Sequence, residues 1–118
     1  MNPARLLLVI PCYNEEAILY MTYAKLNTYY NAIKQQGLIA GDSRICFVND
    51  GSRDKTWNII EELCSRDPDV IGVALSRNFG HQSAIMAGLE QHMDHFDCFI
   101  TIDADLQDDL NAITGMIE

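Results

Sequence analysis

The residues best placed to do chemistry stand together in Asp103-Ala104-Asp105-Leu106-Gln107, directly after the apolar run Cys98–Ile102. In an open parallel α/β sheet, ligands bind just outside the carboxyl ends of strands. Two carboxylates at i and i+2 there can converge on a hard divalent cation, with substrate phosphates filling the remaining positions. Gln107 adds a third oxygen donor at the same spacing, and alternation keeps all three on one side while the segment stays extended. This pattern predicts a Mg²⁺ or Mn²⁺ site serving a phosphorylated substrate, with a nucleotide as first choice. The competing reading is an Asp-rich turn in which one carboxylate caps a helix.

Three other segments have the same design, an apolar run ending in polar, loop-forming residues. Ile10-Pro11-Cys12-Tyr13-Asn14-Glu15-Glu16 offers an aromatic face and a carboxylate ahead of a helix. It could also be a helix cap beside a packed tyrosine. Phe47-Val48-Asn49-Asp50-Gly51-Ser52 is good turn chemistry. Its Asp50 could also accept hydrogen bonds from a base N–H or a ribose hydroxyl. Leu75-Ser76-Arg77-Asn78-Phe79-Gly80-His81 supplies Arg77, which could pair with a diphosphate or sit in a surface ion pair. Gly80 could permit close backbone approach, and His81 reads as an exposed histidine at a helix start. No G-x-G-x-x-G loop is present, so a dinucleotide fingerprint is missing.

These loops need strands and helices to hold them. Four short apolar runs, Leu6–Ile10, Ile45–Val48, Val70–Leu75 and Cys98–Ile102, read as strands covered on both faces. Helical patterns alternate with them. Leu19, Tyr23, Leu26, Tyr30 and Ile33 mark the first, with Asn14 as its N-cap, Glu15 and Glu16 in its first turn and Gly37 as its stop. Trp57, Ile60 and Leu63 mark the second, starting near Asp54 and ending before Pro68. Ile85, Leu89 and Met93 mark the third, and a fourth begins after Asp109. The expected fold is α/β, a Rossmann-like parallel sheet of strand order 3-2-1-4, with the switch point between strands 1 and 4. Proline is expected to end the first strand.

Composition narrows the classes. A chain of 118 residues allows one domain with a core. The net charge of −9 argues against nucleic-acid binding, which needs a basic face. It leaves a nucleotide open, because a metal ion inverts the local field. The four cysteines, at 12, 46, 64 and 98, show no C-x-x-C spacing, so zinc and dithiol readings lack support. Cys46 and Cys98 read as buried thiols. Cys12, near the site, reads as structural before reactive. Leu6–Ile10 is too short for a signal-peptide core, and no run approaches a membrane span. The final pattern stops uncapped right after the aspartate segment, so the chain reads as the N-terminal part of a longer protein.

Taken in order, the four segments resemble the family 2 glycosyltransferases, of GT-A fold. The motifs are Ile10-Pro11-Cys12-Tyr13-Asn14-Glu15, Asn49-Asp50-Gly51-Ser52-Arg53-Asp54, Arg77-Asn78-Phe79-Gly80 and Asp103-Ala104-Asp105-Leu106-Gln107-Asp108. The likeness spans essentially the whole chain. It is greatest to polyprenyl-phosphate hexosyltransferases, the bactoprenol glucosyltransferases and dolichyl-phosphate mannose synthases. It implies that Pro11, Tyr13 and Glu15 line a nucleoside pocket and that Asp50 contacts the base. Arg77 and Asp103 join the nucleotide-binding set. Asp103, Asp105 and Gln107 hold Mg²⁺ or Mn²⁺ on the donor diphosphate, with Asp105 as the catalytic carboxylate. The implied reaction is inverting transfer of a hexose from a nucleotide diphosphate sugar to a polyprenyl phosphate. UDP-hexose is the preferred donor and GDP-mannose the second. The acceptor phosphate is already an anion, so no catalytic base is assigned. Two departures from the family pattern stand out. Asn49-Asp50 replaces a common pair of aspartates, and Asp108-Asp109-Leu110-Asn111 replaces a common Asp-Pro-Pro-Glu.

The resemblance places the acceptor-binding half and any membrane helices beyond residue 118. The longer protein would work at the cytoplasmic face of a membrane, in cell-wall chemistry. Residues 1–118 alone would be a soluble, inactive, weakly nucleotide-binding piece, and an uncovered sheet end would favour self-association. Two other classes compete. Asp-x-Asp phosphatases carry the pair on their first strand, with Thr or Val following, where this chain has a fourth-strand pair and Leu106-Gln107. A non-catalytic nucleotide-binding or assembly module would keep the fold without turnover.

Overall fold

The computed structural model describes residues 3–106; Gln107 and the fourth helical pattern lie outside them. Strands and helices alternate: β1 (Leu6–Cys12), α1 (Leu19–Gln35), β2 (Arg44–Asn49), α2 (Thr56–Arg66), β3 (Val70–Ala74), α3 (His81–His92) and β4 (Cys98–Thr101). The strands pair in parallel in the order β3-β2-β1-β4, as expected. Pro11 does not end β1: the strand runs on to Cys12, which pairs with Asn49.

Central β1 is buried along its whole length. Its alternate residues feed two cores. Leu6, Leu8, Ile10 and Cys12 face Leu26, Tyr30 and Ile33 of α1 and Ile60 and Leu63 of α2. Leu7 and Val9 face Cys46, Val48, Val73 and Ala84 of α3. Each large aliphatic side chain fully buried this way contributes about 1.5–3 kcal/mol. The division of helices follows from handedness. Right-handed crossovers stepping from β1 to β2 to β3 put α1 and α2 on one face; the step back to β4 puts α3 on the other.

Three local expectations are corrected. Asn14 does not cap α1. It sits in the left-handed region (φ 53°), and the helix begins at Leu19 after a turn closed onto the Glu15 carbonyl. The buried face of α1 includes Thr22, while Tyr23 is only half-buried. Tyr23 donates its hydroxyl to Asp67 (2.6 Å), and burial together with that carboxylate pushes its phenol up to about 12. In α3 the buried positions are Ala84 and Gly88, and Met93 is exposed. A Cβ at Gly88 would come within 3.0 Å of both Val9 and Val48, so α3 lies close on the sheet through its smallest residues. The stop of α1 at Gly37 is as expected. With φ 77°, Gly37 donates to the Lys34 carbonyl, and Leu38 donates to that of Ile33, the paired bonds of a Schellman ending.

One polar cluster ties α1 to the sheet. Asp69 accepts from Lys34 Nζ (2.6 Å), lies 2.9 Å from the Tyr30 hydroxyl and faces Arg44 at 3.5 Å. Burial alone would raise its carboxyl; the bonds from Lys34 and Tyr30 outweigh that and hold it below the usual range. Asp69→Ala is expected to cost about 2–3 kcal/mol, since it strands partly buried donors. A depressed folded-state value means the contribution is complete above the unfolded value and is lost as pH falls through the folded one. Urea titrations of wild type and Asp69→Ala should therefore converge toward the acid end. A gap that stays constant down to acid unfolding would refute this.

Candidate functional site

Parallel strands deliver all their carboxyl ends to one edge, and the loops there enclose a cavity of 310 Å³. The loop after β1 contributes Pro11, Cys12, Tyr13 and Glu15. The turn after β2 contributes Asp50. The segment after β3 contributes Asn78, Gly80 and His81, and the segment after β4 contributes Asp103, Ala104 and Asp105. Six of the predicted site residues thus meet in one place: Pro11, Tyr13, Glu15, Asp50, Asp103 and Asp105. Arg77 does not line this cavity. Its guanidinium lies over the Phe79 ring, 4.6 Å from the centroid. Gln107 lies outside the described residues.

The first loop owes its shape to side chains of the second. Asn14 N–H donates to Ser52 Oγ (2.9 Å), Glu15 N–H to Thr56 Oγ1 (2.8 Å) and Glu16 N–H to Asp54 Oδ2 (3.2 Å). In return Arg53 N–H donates to Asn14 Oδ1 (2.9 Å). Three successive backbone donors are thereby satisfied, which leaves the side chains of Tyr13 and Glu15 for the cavity. Asp54 also accepts from the Thr56 hydroxyl and N–H. Burial would raise its carboxyl, but these bonds and that from Glu16 hold it below the ordinary value.

The second turn also braces the third. Gly51 has φ 66°, and a Cβ there would lie 2.1 Å from the Arg77 carbonyl carbon and 2.3 Å from the Asn78 nitrogen. Only glycine admits both that backbone conformation and that approach. Next to it, Asp50 Oδ1 accepts from Phe79 N–H (2.8 Å) and Oδ2 from Gly80 N–H (3.1 Å).

The aspartate segment is held from two sides. Ile102 N–H donates to the Val9 carbonyl (3.0 Å), and Thr22 Oγ1 of α1 donates to the Ala104 carbonyl (2.5 Å). Ala104 is buried, so Asp103 and Asp105, on either side of it, turn outward. Asp103 Oδ1 stands 3.6 Å from His81 Nε2. Glu15 is pushed above the usual carboxylate value, first by burial, then by the charges of Asp105 and Asp54. A carboxylate kept uncomfortable by its neighbours is one that a cation would relieve. The donor set therefore fits a divalent ion bound by one or two carboxylates and completed by phosphate oxygens and water. Among the described residues no group of three His, Cys, Asp or Glu closes on a metal by itself.

Cys12 is not a reactive thiol. It is buried in β1 and donates to the Ile10 carbonyl, and burial, then the charge of Glu15, push its thiol well above the ordinary value. Asn78 and His81 were not singled out as cavity residues by the sequence, although the signal was present. Both stand within seven residues of the carboxyl end of β3, on the edge that collects the site.

An α/β sheet with an acidic cavity at its switch point has close counterparts. Residues 7–118 match the model of glycosyl transferase family 2. The glycosyltransferase YkoT of Bacillus subtilis is 44% identical over 108 residues, 92% of this chain and 32% of YkoT. The bactoprenol glucosyl transferase of Shigella phage SfV is 38% identical over 111 residues, 94% of this chain and 34% of that protein. Among solved structures, the mannosyltransferase PcManGT of Pyrobaculum calidifontis, in complex with GDP-Man and Mn²⁺, superposes with a TM-score of 0.68 at 18% identity. The match covers 95% of this chain and 31% of PcManGT. TarS 1-349 of S. aureus in complex with UDP gives 0.63 at 19% identity, over 96% of this chain and 32% of TarS. The fold is thus that of GT-A glycosyltransferases.

The chain belongs to glycosyl transferase family 2. It spans about a third of the length of the curated relatives it matches. No helix among the described residues is long and apolar enough to cross a membrane.

Proposed function

We propose that this chain supplies the donor-binding part of a transferase that moves a hexose from a nucleotide diphosphate sugar to a polyprenyl phosphate. The observation that carries the reading is the single cavity joining Tyr13 and Glu15 to Asp103 and Asp105 across the β1/β4 switch point. Pro11, Tyr13 and Glu15 form its nucleoside end. Asp103 and Asp105 line its other end and would hold Mg²⁺ or Mn²⁺ there, and Gln107, outside the described residues, is the third donor that the family resemblance implies. When bound, the cation neutralises charge on the leaving diphosphate. Asp105 keeps that charge stabilisation in register with the breaking bond. His81 stands beside Asp103 at that end, and Arg77 remains the proposed cationic partner of the diphosphate.

The acceptor is inferred from relatives named bactoprenol glucosyl transferase and undecaprenyl-phosphate 4-deoxy-4-formamido-L-arabinose transferase. Acceptor binding falls to residues beyond 118, and the longer protein would act at the cytoplasmic face of a membrane. Without that half, water is not excluded and the reacting groups are not held together. Residues 1–118 alone should therefore transfer no sugar.

A thermal-shift screen of UDP-, GDP-, CDP- and dTDP-sugars with Mn²⁺ tests the donor reading. A ligand at 100 times its dissociation constant stabilises by about 2.7 kcal/mol. UDP-hexose is expected to give the largest shift. A larger shift with GDP-mannose would reverse the donor order, and no shift with any of the four would refute the reading.

A further inference from the structure

We infer that Thr22 is a positioning residue for the aspartate segment: its hydroxyl, reaching from α1 to the Ala104 carbonyl, holds Asp103 and Asp105 toward the cavity. The inference rests on the donor-site reading above and concerns how the cation end of that site is held. Three observations carry it.

The hydroxyl bonds away from its own helix. A threonine inside a helix can return its hydroxyl to the carbonyl one turn back, and Thr28 of α1 does so, donating to the Ala24 carbonyl (3.0 Å). Thr22 donates instead to Ala104, far away in the sequence (2.5 Å). Both residues are buried, Thr22 at 2% and Ala104 at 4% exposure, so breaking the bond leaves its partners without water to replace it.

The segment needs such a hold. After Ile102 it turns back on itself, with Leu106 N–H donating to the Asp103 carbonyl (2.9 Å). Leu106 closes that turn at φ 55°, a left-handed conformation that a non-glycine residue disfavours. Such conformations persist where surrounding contacts impose them, and Ala104, inside the turn, is where α1 takes hold of it. The same helix also holds the other end of the cavity. The Ile18 and Leu19 N–H groups at its start donate to the Glu15 carbonyl (3.1 and 3.0 Å). One helix thus fixes the loop of Tyr13 and Glu15 at its start and the aspartate segment at Thr22, which sets the two ends of the cavity relative to each other.

A core residue and a positioning residue part company in the metal dependence. Loss of stability alone weakens UDP binding equally with and without Mn²⁺. Loss of the hold on Asp103 and Asp105 weakens only the part that Mn²⁺ adds. T22V keeps the shape and removes the hydroxyl, and T22S keeps the hydroxyl. I33V, about three turns further along α1 in the same core, is the control. UDP binding with and without Mn²⁺ would be measured by calorimetry, and amide exchange of the ligand-free proteins by NMR.

In T22V the gain in UDP affinity on adding Mn²⁺ should fall about 10-fold, as on losing a group that orients a metal ligand, while affinity without Mn²⁺ is unchanged. The Leu106 amide should exchange about 10-fold faster, as expected when one buried hydrogen bond is lost nearby, while the amides of β1 stay protected. T22S should restore both readouts, and I33V should move neither. If T22V does not fold, T22A carries the comparison. Equal losses with and without Mn²⁺, or an unchanged Leu106 amide, would overturn the inference. Failure of wild type to bind UDP would refute the donor reading, and Leu106 exchange in the ligand-free proteins would still decide the role of Thr22.

Discussion

Asp105→Asn is expected to remove the metal-dependent part of nucleotide binding and to leave the fold in place. Asp105 is exposed, whereas its neighbour Ala104 is buried and carries the contact with Thr22. The substitution keeps an oxygen but discards the charge that a hard cation requires. Losing a hydrogen-bond partner of a metal ligand already costs about 10–100-fold in metal affinity. Losing the ligand's own charge should cost about 100-fold or more. Asp105 also acts on Glu15, so the variant should bring the Glu15 carboxyl closer to its ordinary value. Calorimetry of UDP binding with and without Mn²⁺ gives the first readout and carboxyl NMR titration the second. Equal Mn²⁺-dependent affinity in wild type and variant would remove Asp105 from the metal site.

Gly51→Ala should be the most destabilising glycine-to-alanine change among the described residues. Two costs add. A non-glycine residue in the left-handed region costs about 1–2 kcal/mol. The added Cβ would lie 2.1 Å from the backbone of Arg77, a contact that no side-chain rotation can relieve. Forcing extra volume into packed structure typically costs about 1–3 kcal/mol more. The total, about 2–5 kcal/mol, is a large part of the stability of a domain this size. Gly37 is the internal control. It also has positive φ (77°), but a Cβ there meets nothing within 4 Å, so Gly37→Ala should cost only about 1–2 kcal/mol. Urea unfolding of both variants separates backbone strain from steric contact. Equal losses would mean that the 77–80 segment moves aside freely. That would count against the second turn as a rigid brace.

How far the sequence carried the description depended on the range of each interaction. Strand positions, helix order and the 3-2-1-4 arrangement were legible because each depends on local periodicity plus one handedness rule. The end of α1 was legible for the same reason: Gly37 supplies a left-handed residue wherever it stands. The gathering of Tyr13, Asp50, Asp103 and Asp105 at one edge also followed, because parallel strands send their carboxyl ends the same way. The divalent-cation reading rested on residue type and spacing alone, and the cavity is consistent with it.

What the sequence could not decide was set by contacts between loops distant in the chain. Asn14 looked like a helix cap, but Ser52, Asp54 and Thr56 compete for the backbone of that loop, and Asn14 answers Arg53 instead. Ile85, Leu89 and Met93 looked like the buried stripe of α3. Leu89 does pack against that core, but at the branched Val9 and Val48 side chains the helix turns in its smallest residues, Ala84 and Gly88. The charge of Arg77 suggested a diphosphate partner, and only the tertiary structure shows its backbone set against Gly51 and its guanidinium over Phe79. Asp50 looked like an open carboxylate in a turn, and only the tertiary structure brings Phe79 and Gly80 N–H within reach of it. Residue type and spacing determined which groups arrive at the site. The choice between facing a ligand and facing a neighbouring loop depended on which backbone donors lay unsatisfied nearby, and no local pattern encodes that.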